Sequence, residues 1–446
     1  MKTFTTLVLS LFLIGCTGDT SSRETLTVFT NVNVIPMDSE QVLMDQTVII
    51  DGDRIVDVVP SSEITVPASA MVIDGTDKYL MPGLAEMHGH VPPTNPGPNA
   101  PEYFNKEYVE STLFLYVSAG ITTVRGMLGY EGQLSLKDSV NSGVHIGPNL
   151  YLAGPSFNGN SISSPEEARE RVVKQHKEGW DLLKIHPGVS LEEYDAMVEA
   201  ADEVGITFGG HVPADVGVIH AIESGQITID HVDGYVSFLS PFEDQEKGEK
   251  LDEVIRLTKK HNVWIVPTMA LWETIIGAAD YETMRTYDEL KYIPKGVKQN
   301  YFDFAENPQT GYAIGDPAEQ AQLRSRILGE MNKAGVKILM GTDAPQLFSV
   351  PGFSIHRELP LMKAAGMSNY EILLSGTKNV GEYFAEKDQF GTVAEGQRAD
   401  LILLSDNPLE DLSVIKDHDG VMVQGKWYPR EMIDQKLKEI EAYYAE

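Results

Sequence analysis

The stretch Met81-Pro82-Gly83-Leu84-Ala85-Glu86-Met87-His88-Gly89-His90 joins a short apolar run to two histidines one residue apart. On a strand, residues i and i+2 point to the same side, so His88 and His90 share a face. Seven similar apolar runs follow, and the eight predicted strands end near His90, Arg125, Ala153, Ile185, His211, His231, Thr268 and Asp343. Amphipathic segments separate them. Residues 166–178 and 192–204 are the clearest connecting helices, each followed by a glycine, Gly179 or Gly205, suited to ending it. Alternation of this kind predicts an α/β fold, a (β/α)8 TIM barrel, with its functional groups at the C-terminal ends of the strands. Two connections stand out, the proline-rich residues 91–103 and the long segment 269–322. Long loops on that face commonly shape or cover a site.

Outward from these units the pattern changes to short β-rich runs. Residues 27–35 and 46–59 are such runs, punctuated by the turn Asp51-Gly52-Asp53, and similar runs return at Gly391-Thr392-Val393, 399–404 and 420–428. Strands at both ends need a common partner, which predicts a small composite β-sandwich domain built from both chain ends with the barrel inserted between its halves. The expected division is 26–80 for the first part of the sandwich, 81–387 for the barrel, 388–430 for the second part and 431–446 for a C-terminal helix.

Further out, an apolar run from Leu7 ends in Leu13-Ile14-Gly15-Cys16. It is too short to span a bilayer and has the pattern of a signal peptide. A small residue before the one cysteine of the chain resembles a bacterial lipobox. Residues 1–16 are therefore expected to be a lipoprotein signal peptide, Cys16 the site of lipidation, and 17–25 a polar tether. The expected location is the cell envelope, periplasm or outer membrane, with membrane contact through the lipid anchor only. Beyond Cys16 there is no thiol, so a metal has to be held by His, Asp, Glu or Lys.

With 35 basic against 66 acidic residues the formal charge is −31, which repels a phosphate backbone and excludes nucleic acid as a partner. At 446 residues and 42% hydrophobic content the chain is long enough for one barrel with an attached domain. The oligomeric state is left open, a homo-oligomer included.

Of eleven histidines, four lie at or next to predicted strand ends: His88, His90, His211 and His231. Gly341-Thr342-Asp343-Ala344 follows a mostly apolar run and sets a carboxylate at the end of the eighth strand. Lys184, within Trp180-Asp181-Leu182-Leu183-Lys184-Ile185, would place an ammonium inside the barrel. Such a charge is costly unless paired. It could meet an acid, or react with carbon dioxide to give an anionic carbamate whose two oxygens can bridge two cations.

Together with Ala119-Gly120-Ile121-Thr122-Thr123-Val124-Arg125 and the closing Gly391-Thr392-Val393 and Ala399-Asp400-Leu401, these stretches resemble the amidohydrolase superfamily over nearly all of the chain beyond the leader. The resemblance implies that His88, His90 and Asp343 hold one metal, that His211 and His231 hold the other, and that carboxylated Lys184 and a hydroxide bridge them. The implied cofactors are two divalent metal ions, zinc first, although manganese, cobalt and iron suit the same donors, and carbon dioxide as the carbamate on Lys184. The pattern is most similar to the carboxylated-lysine binuclear branch, related to imidazolonepropionase, that includes Xaa-Pro and Xaa-Arg dipeptidases. Glu86, where relatives often have Asp, and Gly126, where many have an acid, depart from it.

The activity this implies is hydrolysis of amide bonds in small-molecule or short-peptide substrates, dipeptides or N-acyl amino acids, next to a free carboxylate. Asp343 is expected to move the proton. Arg125 is a candidate grip for the carboxylate, or else the partner of a structural acid. Tyr235, four residues after His231, is a candidate oxyanion or carboxylate contact, or else a packed tyrosine. His186 and His356 are further candidates, whereas His145, His176, His220, His261 and His418 are read as structural or surface residues. A lactonase or phosphotriesterase would use the same metals, and a non-catalytic binding lipoprotein is the alternative of a different class.

Overall fold

In the computed structural model, residues 26–94 and 100–445 are described. The expected signal peptide 1–16 with Cys16, the expected tether 17–25 and residues 95–99 of the proline-rich connection lie outside the described residues.

Five strands open the described chain: β1 (Thr27–Val34), β2 (Leu43–Asp51), β3 (Arg54–Pro60), β4 (Met71–Asp74) and β5 (Tyr79–Pro82). Gly52, at φ +58°, supplies the left-handed step that turns β2 into β3. Seven short strands follow: β6 (Leu84–Gly89), β7 (Ile121–Gly126), β8 (Asn149–Leu152), β9 (Leu183–Ile185), β10 (Phe208–Gly210), β11 (Thr228–Asp230) and β12 (Trp264–Val266). Their residues are all buried, which is why they read as apolar runs rather than as alternation. The last three strands are β13 (Leu401–Leu404), β14 (Gly420–Val423) and β15 (Lys426–Pro429).

Strands from the two ends share one eight-stranded sheet, in the order β15-β14-β13-β5-β1-β2-β3 with β4 on β1. The junction is antiparallel, Pro82 to Tyr79 of β5 facing Leu401 to Leu404 of β13. Gly391-Thr392-Val393 is no strand: Gly391 is left-handed at φ +94°, and a Cβ there would meet the Thr377 carbonyl oxygen at 2.6 Å, so this stretch is a packed turn.

The central strands are parallel, β6-β7-β8 in one sheet and β9 to β12 in another. Parallel bridges at Ala153–Leu182 and Phe157–Ile185 join the two sheets, and a bridge at Ile265–Ile338 continues past β12. The expected eighth strand is instead an irregular extended segment. Met87 N donates to Met340 O at 2.8 Å and Asp343 N to His88 O at 2.7 Å, which draws the segment against β6. A regular ladder fails there because Asp343 is left-handed, φ +62°, and because the Glu86 side chain takes the Thr342 amide at 2.7 Å.

The connecting helices follow the sequence closely. Pro165–Glu178 is capped by Ser164 and ended by Gly179, and Leu191–Val204 opens on a Ser190/Glu193 capping box and ends at Gly205. The segment 269–322 is not a long loop. It carries the helices Met269–Ile276, Tyr281–Met284 and Lys295–Glu306 and the start of Pro317–Lys333, stabilised by burial of residues such as Leu271, Val297 and Tyr301. The C-terminal helix Arg430–Ala445 buries Ile433, Leu437 and Ile440 in a cluster with Phe114 and Val421. Among the described residues no helix is long and apolar enough to cross a membrane.

The eight-stranded sheet is locked to the parallel strands through Asp400. Its carboxylate accepts from Arg398 Nε at 2.7 Å, Asn149 Nδ2 at 3.0 Å and the Gln424 amide at 2.8 Å, while Arg398 Nη2 reaches Thr123 Oγ1 at 3.0 Å. Asp400→Ala strips a buried guanidinium of one of its two acids, Asp388 being the other. The expected loss of unfolding free energy is about 3 kcal/mol, read by chemical denaturation. A loss below about 1 kcal/mol, the size of an ordinary surface change, would show that this seam does not couple the sheet to the strands.

Candidate metal centre

The strands deliver their polar residues to one place because each ends there. The rings of His88, inside β6, and His90, just past it, have centroids 5.6 Å apart. His90 Nε2 lies 2.5 Å from Asp343 Oδ1 and His88 Nε2 3.8 Å from the same oxygen. His88, His90 and Asp343 each offer a donor atom within 4.8 Å of the others, a spacing that fits one cation. Lys184 of β9 is fully buried, with Nζ 3.1 Å from His88 Nε2. His211 follows β10 and His231 follows β11; the His231 ring lies 4.3 Å from those of His88 and His211. The structure thus brings together His88, His90, Lys184, His211, His231 and Asp343.

Three imidazoles are held from behind. His88 Nδ1 lies 2.7 Å from Asp230 Oδ2, His211 Nδ1 2.8 Å from Asp233 Oδ2, and His231 Nδ1 2.7 Å from Thr268 Oγ1. In His211 and His231 the hydrogen bond at Nδ1 leaves Nε2 for the centre, the arrangement that orients a metal-ligating histidine, while His88 Nδ1 is at ion-pair distance from its acid. His231 Nε2 is buried with no hydrogen-bond partner and lies 3.8 Å from Asp343 Oδ2. A buried nitrogen left unpaired is costly, so its placement fits a ligand. Burial, together with neighbouring cationic groups, holds the His88 and His231 imidazoles well below their ordinary range, in the neutral form that offers a lone pair. These imidazole nitrogens, with the Asp343 carboxylate, fit divalent metal.

The backbone is strained at the same residues. His231 (φ +68°), Thr268 (φ +46°) and Asp343 (φ +62°) are left-handed, a conformation that costs each about 1–3 kcal/mol. Hydrogen bonds hold two of them: His231 N donates to Val266 O at 2.7 Å and the Arg324 guanidinium to His231 O, and Asp343 N donates to His88 O at 2.7 Å.

Two expected substrate contacts are corrected. Arg125 is completely buried, pairing with Asp230 at 3.2 Å and donating to Met87 O at 2.7 Å and Thr228 Oγ1 at 3.1 Å, so it braces the acid behind His88 and is out of reach of a substrate carboxylate. Tyr235 is also fully buried, its hydroxyl 2.9 Å from Thr258 Oγ1 within an apolar cluster, which makes it a core residue. His186 does reach the centre, its ring 5.1 Å from that of His211. His356 lies elsewhere, in a cleft with Lys416 and Arg430.

Glu86 has a role that the sequence did not show. It is buried and accepts from the amides of His88 at 3.0 Å and Thr342 at 2.7 Å and from Thr342 Oγ1 at 2.5 Å, tying the first ligand strand to the segment that carries Asp343. Its departure from the more usual Asp was visible; its partner Thr342, 256 positions away, was not.

A model of the amidohydrolase family matches residues 79–428. The ochratoxinase of Aspergillus niger is 23% identical over 404 residues, covering 77% of this chain and 73% of that protein. A 5-methylthioadenosine/S-adenosylhomocysteine deaminase of Caldanaerobacter subterraneus subsp. tengcongensis is 23% identical over 446 residues, 89% of this chain and 91% of the relative. Among solved structures, a Xaa-Pro dipeptidase with bound methionine in the active site superposes with a TM-score of 0.68 at 24% identity over 91% of this chain and all of that one. Bottromycin amidohydrolase gives 0.73 at 20% identity, covering 95% and 91%. At such identities the likeness of the solved structures is one of fold.

Thr268→Val keeps the shape behind His231 and removes the oxygen that fixes its ring. Affinity for divalent metal is expected to fall about 10- to 100-fold, measured by competition with a chromophoric chelator. Unchanged affinity would mean that Thr268 does not orient a ligand.

Proposed function

The chain belongs to the amidohydrolase family, and from that premise we propose that it hydrolyses the amide bond of small substrates such as dipeptides and N-acyl amino acids at two divalent metal ions. The observation that carries this reading is the convergence of six donor residues with His231 Nε2 buried and unpaired among them. His88, His90 and Asp343 would hold one ion and His211 and His231 the other. Lys184 Nζ is buried with no carboxylate within 4.0 Å among the described residues. Burial holds its amine down to about 8, so the neutral form that attacks carbon dioxide is within reach near neutral pH. The ammonium gives up one proton to become the amine, and addition of carbon dioxide with release of a second proton gives an anionic carbamate, suited to bridging two cations where an ammonium would repel them. Zinc is the expected metal.

When bound, the two ions lower the pKa of a shared water and polarise the scissile carbonyl. The chain's own residues supply the rest. Asp343 keeps Oδ1 on His90 while Oδ2 has Gln346 Nε2 at 3.5 Å, and it would take the proton from the attacking water and deliver it to the leaving nitrogen. Water and amide thus become acid and amine. Glu86, fixed on two amides of the first and last segments, keeps Asp343 in register with His88.

The same reading assigns 81–387 to a closed (β/α)8 barrel, supported by the bridges at Ala153, Phe157 and Ile265 and by the bonds of Met87 to Met340 and of Asp343 to His88. It assigns 26–80 and 388–430 to one composite β-domain, supported by the pairing of β5 with β13. A lipid anchor on Cys16 in the cell envelope belongs to it as well, supported by Leu13-Ile14-Gly15-Cys16. Cys16→Ser is expected to release the protein from the membrane fraction or leave it unprocessed; unchanged attachment with normal cleavage removes the anchor.

Metal-loaded protein, reconstituted with bicarbonate, is expected to contain two metals per chain and to cleave dipeptides or N-acyl amino acids faster than simple lactones. Lys184→Ala should lose most activity, with partial rescue by a short carboxylic acid. One metal or fewer by elemental analysis counts against the binuclear centre, and lactone turnover above that of every amide against the amide assignment.

A further inference from the structure

Next to the metal centre, the loops that follow β9, β10, β11 and β12 meet residues 311–324 around a cavity of about 440 Å³. Its walls include Val212, Phe238, Trp272 and Tyr312, with Asp233 and Arg324 as the charged groups. Trp272 lines the cavity, its ring 5.6 Å from that of His231 and 5.6 Å from that of Tyr312. Gln320 fixes the outer wall, accepting from the Ile314 amide at 2.7 Å and donating to Tyr312 O at 3.3 Å.

Arg324 holds the His231 carbonyl, but that bond leaves part of its guanidinium unused. It is 1% exposed, with its guanidinium carbon 4.2 Å above the Trp272 ring. One nitrogen donates to His231 O, yet Nε has no partner and no carboxylate lies within 4.0 Å among the described residues. Asp233 is already committed, Oδ2 to His211 Nδ1 at 2.8 Å and Oδ1 to the Gly234 amide at 2.7 Å. A buried guanidinium with a free donor and no counter-ion is expensive. A planar carboxylate is the group its fork best matches, and the aromatic walls suit an apolar side chain beside that carboxylate.

We propose that this cavity is the subsite for the amino-acid half of the substrate, that it selects an apolar or aromatic residue carrying a free carboxylate, and that Arg324 binds that carboxylate. This deepens the amide-hydrolase reading and rests on it for the word substrate. The specificity it gives comes from charge: a carboxylate restores the missing partner of Arg324, whereas a carboxamide leaves the cation uncompensated.

Binding can be read without turnover. The metal-loaded protein is titrated with N-acetyl-L-phenylalanine and with its amide while tryptophan fluorescence is followed, and Trp272→Phe identifies the responding ring. The acid is expected to bind saturably and about 10-fold or more tightly than the amide, the ratio that one charge-assisted pair supplies. Arg324→Leu should bring the two affinities together, and Arg324→Lys should keep part of the difference; metal content is measured in each because Arg324 also holds the His231 carbonyl. Tyr312→Ser, which leaves Arg324 in place, should weaken both ligands while preserving their ratio. Equal affinities in the wild type, a preference for acid that survives Arg324→Leu, or an undiminished signal in Trp272→Phe overturns the proposal. A protein that binds the acid through Arg324 but cleaves no amide keeps the subsite and loses the proposed reaction; one that cleaves amides without regard to this charge does the reverse.

Discussion

Inside the parallel strands, the buried guanidinium of Arg125 on β7 faces the equally buried carboxylate of Asp230 on β11, and Asp230 in turn stands 2.7 Å from His88 Nδ1 on β6. Arg125 also takes up the Met87 carbonyl of β6 and the Thr228 hydroxyl of β11, so one side chain ties three strands together across the interior. A buried acid needs a cation and a buried cation needs an acid. Meeting both needs at this point turns a His88 ring nitrogen toward the other ligands, and the centre inherits its geometry from that pairing.

The remaining ligands obey the same logic from other directions. Asp233 and Thr268 each take one ring nitrogen of a histidine, and Glu86 holds the backbone on which Asp343 sits. The left-handed residues His231, Thr268 and Asp343 are strained, and the bonds to Val266, Arg324 and His88 compensate them. The converging side chains thus take their orientation from the bonds behind them.

What the sequence made legible was whatever depends on local pattern. The connecting helices announce their caps at Ser164, Ser190, Gly179 and Gly205, and the ligand positions announce themselves because a polar residue at the end of a buried run is conspicuous. What it hid depends on partners far along the chain. Arg125 at a strand end looks available until Asp230 is seen across the interior, and Tyr235 looks poised until Thr258 claims its hydroxyl. The eighth strand carries the right apolar residues, but Glu86 intercepts its ladder. The segment 269–322 has too many turns to read as helical, although buried faces make it so. Arg324 drew no notice at all, because an arginine in an amphipathic helix is ordinary until it is found buried with no carboxylate within 4.0 Å among the described residues.

The pairing of Pro82 with Leu401 sets a condition on the order in which the molecule is made. During synthesis β1, with its two buried faces, emerges first, yet the flank of β5 on which β13 lies stays open until the whole central region has left the ribosome. For most of that time an unpaired strand edge is presented to other chains, the circumstance in which nascent proteins aggregate or need chaperones. The contacts that finish this sheet are among the most distant in sequence, so its completion belongs to the slow end of folding. A ribosome that stalls or terminates before β13 leaves a chain that already holds nearly every residue of the centre and lacks the strand that seals its opening sheet.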